Sequence, residues 1–401
     1  MRQISGREKL FNIPLIIVCQ SFQALSIGGI ALFLPLIRED LALTFTQGGT
    51  LAAATTLVYA LMQIPAGYLA DRFGGKRLFV IGMLGTTILS LIFGFVTEYW
   101  QAMIVQATSG LFRAFLFAPG IRLLSAWFPP EKRATAMGLY LIGGFLGNVV
   151  IDIAGPVLVA QYDWRFPFMA FPPLGIIVGL VLWRFGKEPY QDNSQQGISV
   201  QEVLQLFKQR LMWVCGGIQY VRLAVMMGIT FWLPTLLVEE KGLSLQFAGV
   251  IIAMQAAFIA PSNVVGGYIS DRLKKPIFVI AVALSVLMIT TLLMVLVDNI
   301  IALVFIIIIN SIFIQAYFGP LFSIPVEVLG ERTSATSTGF SNLFANIGSF
   351  SFTYLLGILK DTSGSFLSGF VAIAILCVFG LGLTALLVRI RRKALSDLTV
   401  H

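Results

Sequence analysis

Apolar runs of about 20 residues, separated by short polar loops, recur along the whole chain and constrain its fold more than any other feature. A helix rises 1.5 Å per residue, so each run matches a bilayer core of about 30 Å. Twelve spans are expected, near residues 13–37, 45–70, 78–97, 101–127, 134–160, 166–185, 211–237, 245–270, 276–297, 300–326, 335–359 and 366–388. What remains is loops too short for a soluble catalytic domain. Composition agrees: 57% of the 401 residues are apolar and only 11% are charged, against about 25% charged in soluble domains. A water-soluble globule, a disordered chain and a disulfide scaffold are all excluded.

The net charge of +8 would suit nucleic acid, but its distribution points elsewhere. With the N-terminus inside, most Lys and Arg residues fall in the inner loops and tails and few in the outer ones. That is the positive-inside rule, and it places both termini in the cytoplasm of a multi-pass inner-membrane protein. No nucleic-acid partner is expected. The basic start Met1–Asn12 leads into a run too long for a cleaved signal, without an A-x-A site, so span 1 is expected to be retained.

Cys19, Cys215 and Cys377 fall inside spans and read as small buried apolar residues. The single histidine, His401, is terminal. No metal site or cofactor is expected, and no phosphate-loop motif occurs, so transport work must come from a gradient or a separate partner. No nucleophile–base pair suggests an enzyme.

Gly67-Tyr-Leu-Ala-Asp71-Arg72 recurs 200 residues later as Gly267-Tyr-Ile-Ser-Asp271-Arg272. Phe33-Leu-Pro35 returns as Trp232-Leu-Pro234, Gly49 as Gly249, and Ala134–Gly138 as Ala335–Gly339. Four ordered matches at nearly constant offset describe two parallel halves, as in transporters whose repeats are related by an axis along the membrane normal. The expected organisation is a six-helix bundle at 1–185, a cytoplasmic linker with a short amphipathic helix at 186–210, and a second bundle with a basic tail at 211–401.

Gly67-Tyr-Leu-Ala-Asp71-Arg72-Phe-Gly74-Gly75-Lys76-Arg77 resembles the loop signature of the major facilitator superfamily, and Gly267–Arg272 sits where that family carries a second copy. Trp127–Arg133 and Asp163-Trp-Arg165 are also similar to it. The resemblance covers nearly the whole chain and implies twelve helices in two pseudo-twofold-related bundles, working by alternating access. It also implies a cytoplasmic gating role for Gly67, Asp71, Arg72, Lys76, Arg77, Asp271 and Arg272. A topology anchor is the plainer role for the same residues.

Within the superfamily, drug antiporters share G-x-x-x-G-P-x-x-G-G in span 5. Only Gly155-Pro156 of it survives here. Phe231–Gly242 and Trp183–Pro189 resemble the organic anion:cation symporters instead. Those symporters usually carry an acid in span 4, where this chain has Arg113.

Ionisable groups inside a span are costly, about 2.5–3.5 kcal/mol each, and mark functional sites by default. Arg113 and Arg122 fall in span 4, Asp152 in span 5 and Arg222 in span 7. Arg113 and Arg222 lie roughly 16–18 Å from a span end, near the midplane, one in each half. Arg122 lies nearer the inner end and can snorkel. Guanidinium forks suit carboxylate, phosphate or sulfonate oxygens, so a small anion is the expected cargo. Gln20 and Gln23 of span 1 correspond to Gln219 and Arg222 of span 7 and, with Tyr220, are expected to orient it. Helix–helix bonding is the simpler reading for Gln219 and Tyr220 too, as it is for Gln255, Asn310 and Gln315, and packing is for Tyr59 and Tyr317.

Asp152 is the one acid well inside a span and is the candidate for proton coupling. An equally open alternative is a fixed Arg113–Asp152 ion pair. The function expected is a monomeric secondary transporter of a small organic anion, driven by proton symport. The alternatives are a proton-coupled exporter of hydrophobic compounds and an anion exchanger without proton coupling.

Overall fold

The computed structural model describes residues 6–128, 133–188, 208–321, 324 and 334–398. Twelve long helices follow one another: α1 (Gly6–Asp40), α2 (Phe45–Phe73), α3 (Gly75–Phe93), α4 (Tyr99–Ser125), α5 (Arg133–Gln161), α6 (Arg165–Phe185), α7 (Arg210–Thr235), α8 (Leu245–Leu273), α9 (Pro276–Leu296), α10 (Ile300–Ala316), α11 (Ser334–Ser363) and α12 (Phe366–Leu398). Eleven of them carry a stretch long and apolar enough to cross a membrane; α2 is the one outside that set among the described residues. Helices satisfy every backbone group internally, which is why a chain this apolar adopts nothing else among the described residues. Prolines sit inside several of them, including Pro35 of α1 and Pro234 of α7, and α7 runs on from Pro234 into a π-helical turn, Leu236–Glu240.

The chain forms two compact units, 1–195 with 237–253, and 196–236 with 254–401. The amphipathic helix expected near 200–210 falls almost wholly outside the described residues. In the first unit α1 packs on α5 and α6, α3 on α4 and α6, and α2 on α4. In the second, α7 packs on α11 and α12, and α9 on α10 and α12. The α1–α5, α1–α6, α3–α4 and α3–α6 pairings of the first unit therefore recur in the second as α7–α11, α7–α12, α9–α10 and α9–α12.

The repeat reaches atomic detail. A methyl group on Gly147 of α5 would collide with the Ser21 backbone oxygen of α1, and one on Gly348 of α11 with the Tyr220 backbone oxygen of α7. Both pairs stand at equivalent positions of the two halves. Small residues permit this approach, and where lipid is as apolar as leucine, close backbone packing is what holds helices together.

Large side chains fill each unit. In the first, Phe79, Leu116, Trp127 and Tyr140 form a buried core, with the Tyr140 hydroxyl donating to the Leu116 carbonyl at 2.7 Å. In the second, the Trp232 indole N–H donates to the Thr353 carbonyl at 3.0 Å. The three cysteines are buried free thiols.

Candidate functional site

Arg222 occupies the middle of α7 and is only 3% exposed. Its Nε donates to Gln219 Oε1 at 2.6 Å, one turn back on the same helix, and its Nη1 donates to Gln315 Oε1 of α10 at 3.0 Å. The Gln315 amide is steadied in turn by Met226 Sδ at 3.3 Å. The guanidinium carbon lies 4.8 Å from the centre of the Phe318 ring, a cation–π contact. Two neutral amides and an aromatic face orient the group, but none neutralises it. No carboxylate lies within ion-pair reach of Arg222 among the described residues, and Nη2 has no hydrogen-bond acceptor there.

Unspent donors surround this cation. Gln219 Nε2 and the Tyr317 hydroxyl are both buried and lack a hydrogen-bond partner among the described residues, although buried polar groups are normally paired. Tyr317 is close enough to interact electrostatically with Arg222. The arrangement is a buried positive fork flanked by orphaned polar groups, and chemically it can receive an anion that also offers hydrogen-bonding atoms.

Tyr220 turns elsewhere. Its hydroxyl is 2.7 Å from Ser351 Oγ on α11, and its ring packs edge-on against Phe352. Gln315 and Tyr317, read from sequence as a helix–helix bond and as packing, are the residues that accompany Arg222. Gln315 does make a helix–helix bond, but its partner is the guanidinium itself.

In the first unit Arg113 of α4 is half-buried, its guanidinium carbon 5.8 Å from the centre of the Tyr59 ring. Asp152 of α5 is 6% exposed. Among the described residues neither forms an ion pair, and the Arg113–Asp152 bridge is not made. The Asp152 carboxyl makes no hydrogen bond among the described residues, while its backbone oxygen lies where a side chain on Gly249 of α8 would have to go. Gln20 lies against Gly143 and Gly144 of α5, with a buried Oε1 that has no hydrogen-bond partner among the described residues. Gln23 is buried and makes no hydrogen bond among the described residues.

Of the expected gating residues, the side chains of Gly67, Asp71, Arg72 and Asp271 lie outside the description, and Arg77 and Arg272 are exposed. Lys76 donates from Nζ to the carbonyls of Trp183 and Gly186 at 3.0 and 2.6 Å. The helix start beside it is held by a residue that sequence reasoning did not single out. Glu188 accepts from the backbone N–H groups of Gly75 and Lys76 at 2.9 and 3.0 Å, a carboxylate placed on the positive end of α3. Lys187 meanwhile bonds Glu8 and Asn12 of α1.

The sequence profile of the Major Facilitator Superfamily matches residues 16–353. The chain belongs to that superfamily. A hexuronate transporter of Bacillus subtilis (strain 168) is 23% identical over 93% of both chains. A probable galactarate/D-glucarate transporter of Escherichia coli (strain K12) is 25% identical over 82% of both. Among solved structures, a bacterial homologue of the human lysosomal transporter Spinster, inward-facing and unoccupied, has the same fold, with a TM-score of 0.81 over 98% of this chain and 99% of that one at 18% identity. The protein is therefore a multi-pass major facilitator transporter and not an enzyme, with named relatives in the organic-anion branch.

Proposed function

We propose that this major facilitator protein carries a small organic anion, a hydroxylated carboxylate, by proton-coupled symport across the cytoplasmic membrane with both termini inside. The observation that carries the reading is Arg222: a guanidinium buried in a membrane-spanning helix, oriented by Gln219 and Gln315, with no acidic partner among the described residues. An uncompensated buried charge is strongly unfavourable, and an anionic ligand supplies the missing compensation. The free Gln219 Nε2 donor and the Tyr317 hydroxyl, both without a partner among the described residues, suit the hydroxyl groups of such a ligand. The names of the hexuronate and galactarate/D-glucarate relatives support the same substrate class.

Arg113, equally without a carboxylate partner among the described residues, is assigned an anion contact in the first unit, and Gln20 and Gln23 of the same unit are assigned polar contacts. Asp152 is assigned the proton. It is buried and bound to no cation among the described residues, so it can exchange a proton without breaking an ion pair. A carboxylate substrate moving with one proton crosses without net charge, which removes most of the electrostatic barrier of the bilayer.

The test is ligand stabilisation of the purified protein, since a ligand that binds only the folded state raises its melting temperature. Glucuronate is expected to raise the Tm of the wild type and to have no effect on Arg222→Ala. Stabilisation by cationic drugs but not by any carboxylate would overturn the reading.

A further inference from the structure

Between α8, α9 and α10 the second unit has an apolar cleft of about 200 Å³. Its floor is the crossing of α8 and α10 at Gly266, where an added methyl group would strike the Ala316 carbonyl. Val265, Ile269, Phe278, Val282 and Ile312 line it. Val265 and Phe278 are 50% and 57% exposed, so the cleft opens sideways rather than into the unit. Its hydroxyl group, Ser262, already donates to the Ile259 carbonyl of its own helix at 2.8 Å and asks nothing of an occupant. A cavity with this lining takes hydrocarbon.

One end of the cleft is charged. Leu273, its last residue on α8, and Phe278, on the first turn of α9, flank Lys274 and Lys275, and Arg272 immediately precedes Leu273. Lys274 adopts the left-handed conformation (φ 52°), and Pro276 starts α9 immediately after, so three basic residues are crowded into four positions. All three are exposed, and none forms an ion pair among the described residues. A hydrocarbon cleft ending at a cluster of exposed cations matches an anionic phospholipid, acyl chain along the cleft and phosphate at the turn. Basic residues at a membrane surface attract such head groups.

We propose that the α8–α9–α10 cleft is a binding site for one anionic phospholipid, with an acyl chain against Val265, Phe278 and Ile312 and the head group on Arg272, Lys274 and Lys275. The site is independent of Arg222.

The experiment titrates detergent-purified full-length protein with phosphatidylglycerol, phosphatidylcholine or inorganic phosphate, reading Tm and the lipid retained in native mass spectra. Phosphatidylglycerol is expected to raise Tm and to be retained at one molecule per chain, phosphatidylcholine to bind more weakly, and phosphate alone to do nothing. Val265→Trp, which fills the cleft from an exposed wall, abolishes retention, and Ile312→Trp does the same should the first variant not fold. Lys274→Gln with Lys275→Gln weakens phosphatidylglycerol about 25-fold, at about fivefold for each charge near the surface. Arg222→Ala leaves lipid retention unchanged. Equal binding of both lipids by the wild type, protection by phosphate alone, or retention unaffected by the cleft-filling and lysine variants would each overturn the proposal.

Discussion

Arg222 Nη1 donates to Gln315 Oε1 at 3.0 Å, joining α7 to α10 through a buried charge and a neutral amide. Because the amide cannot neutralise the guanidinium, the contact aims the charge without satisfying it. Hydrogen bonds to charged groups are worth about 1.5–3 kcal/mol. Gln315→Ala therefore is expected to fold but to weaken anion binding roughly tenfold, as the guanidinium loses its aim. Arg222→Ala is expected to weaken it at least about 30-fold, and Arg222→Lys to recover only part of that, since a lysine keeps the charge but not the planar fork. Ligand-induced Tm shifts against glucuronate concentration measure both.

Tyr220→Phe supplies the contrast. Its hydroxyl is committed to Ser351 at 2.7 Å, so its loss is expected to leave anion affinity within about twofold, while Tm falls by the worth of one hydrogen bond, about 1 kcal/mol. A large affinity loss would place Tyr220 in the ligand site after all.

Asp152→Asn separates coupling from binding. The carboxyl is buried and forms no ion pair among the described residues, so the amide fits without leaving a cation stranded. In proteoliposomes the variant is expected to retain substrate counterflow and to lose uphill uptake driven by an inward proton gradient. Full gradient-driven uptake by Asp152→Asn would show that the proton travels by another route.

The paired helix contacts predict matched mutational effects. Gly147→Val and Gly348→Val each drive a side chain into a backbone oxygen of the partner helix, and overpacking of this kind costs about 1–3 kcal/mol. Both are expected to lower Tm by similar amounts. Gly382→Ala, whose new methyl group meets nothing within 4 Å, is expected to be neutral or mildly stabilising.

Glu188→Ala removes the carboxylate that accepts from Gly75 and Lys76. Loss of such a cap costs about 1 kcal/mol, and Glu188→Gln, which keeps an acceptor but not the charge, is expected to lose less. Hydrogen exchange should speed up at the first turn of α3 and remain unchanged in α9.

Hydropathy, run length and the repeat at an offset near 200 determined by themselves that this chain would be a membrane-spanning array of helices in two similar halves. Each of those signals is local or periodic, and a bilayer leaves the backbone few other solutions. Arg222, Arg113 and Asp152 were equally legible as candidates, because a charge in an apolar run is conspicuous wherever it points. The i, i+3 spacing of Gln219 and Arg222 already placed them on one helix face. Partnership was decided only by the tertiary structure. Successive residues are turned by about 100° around a helix, so adjacent Gln219 and Tyr220 face different neighbours, one the guanidinium and the other Ser351. Arg113 and Asp152, similar in depth by residue count, do not meet, since depth fixes only one of the coordinates that bring two side chains together. Glu188 gave no signal of its role, and Gln315 gave a helix–helix bond without its partner, because the groups they bind lie about 100 residues away along the chain and come within reach only when the helices pack.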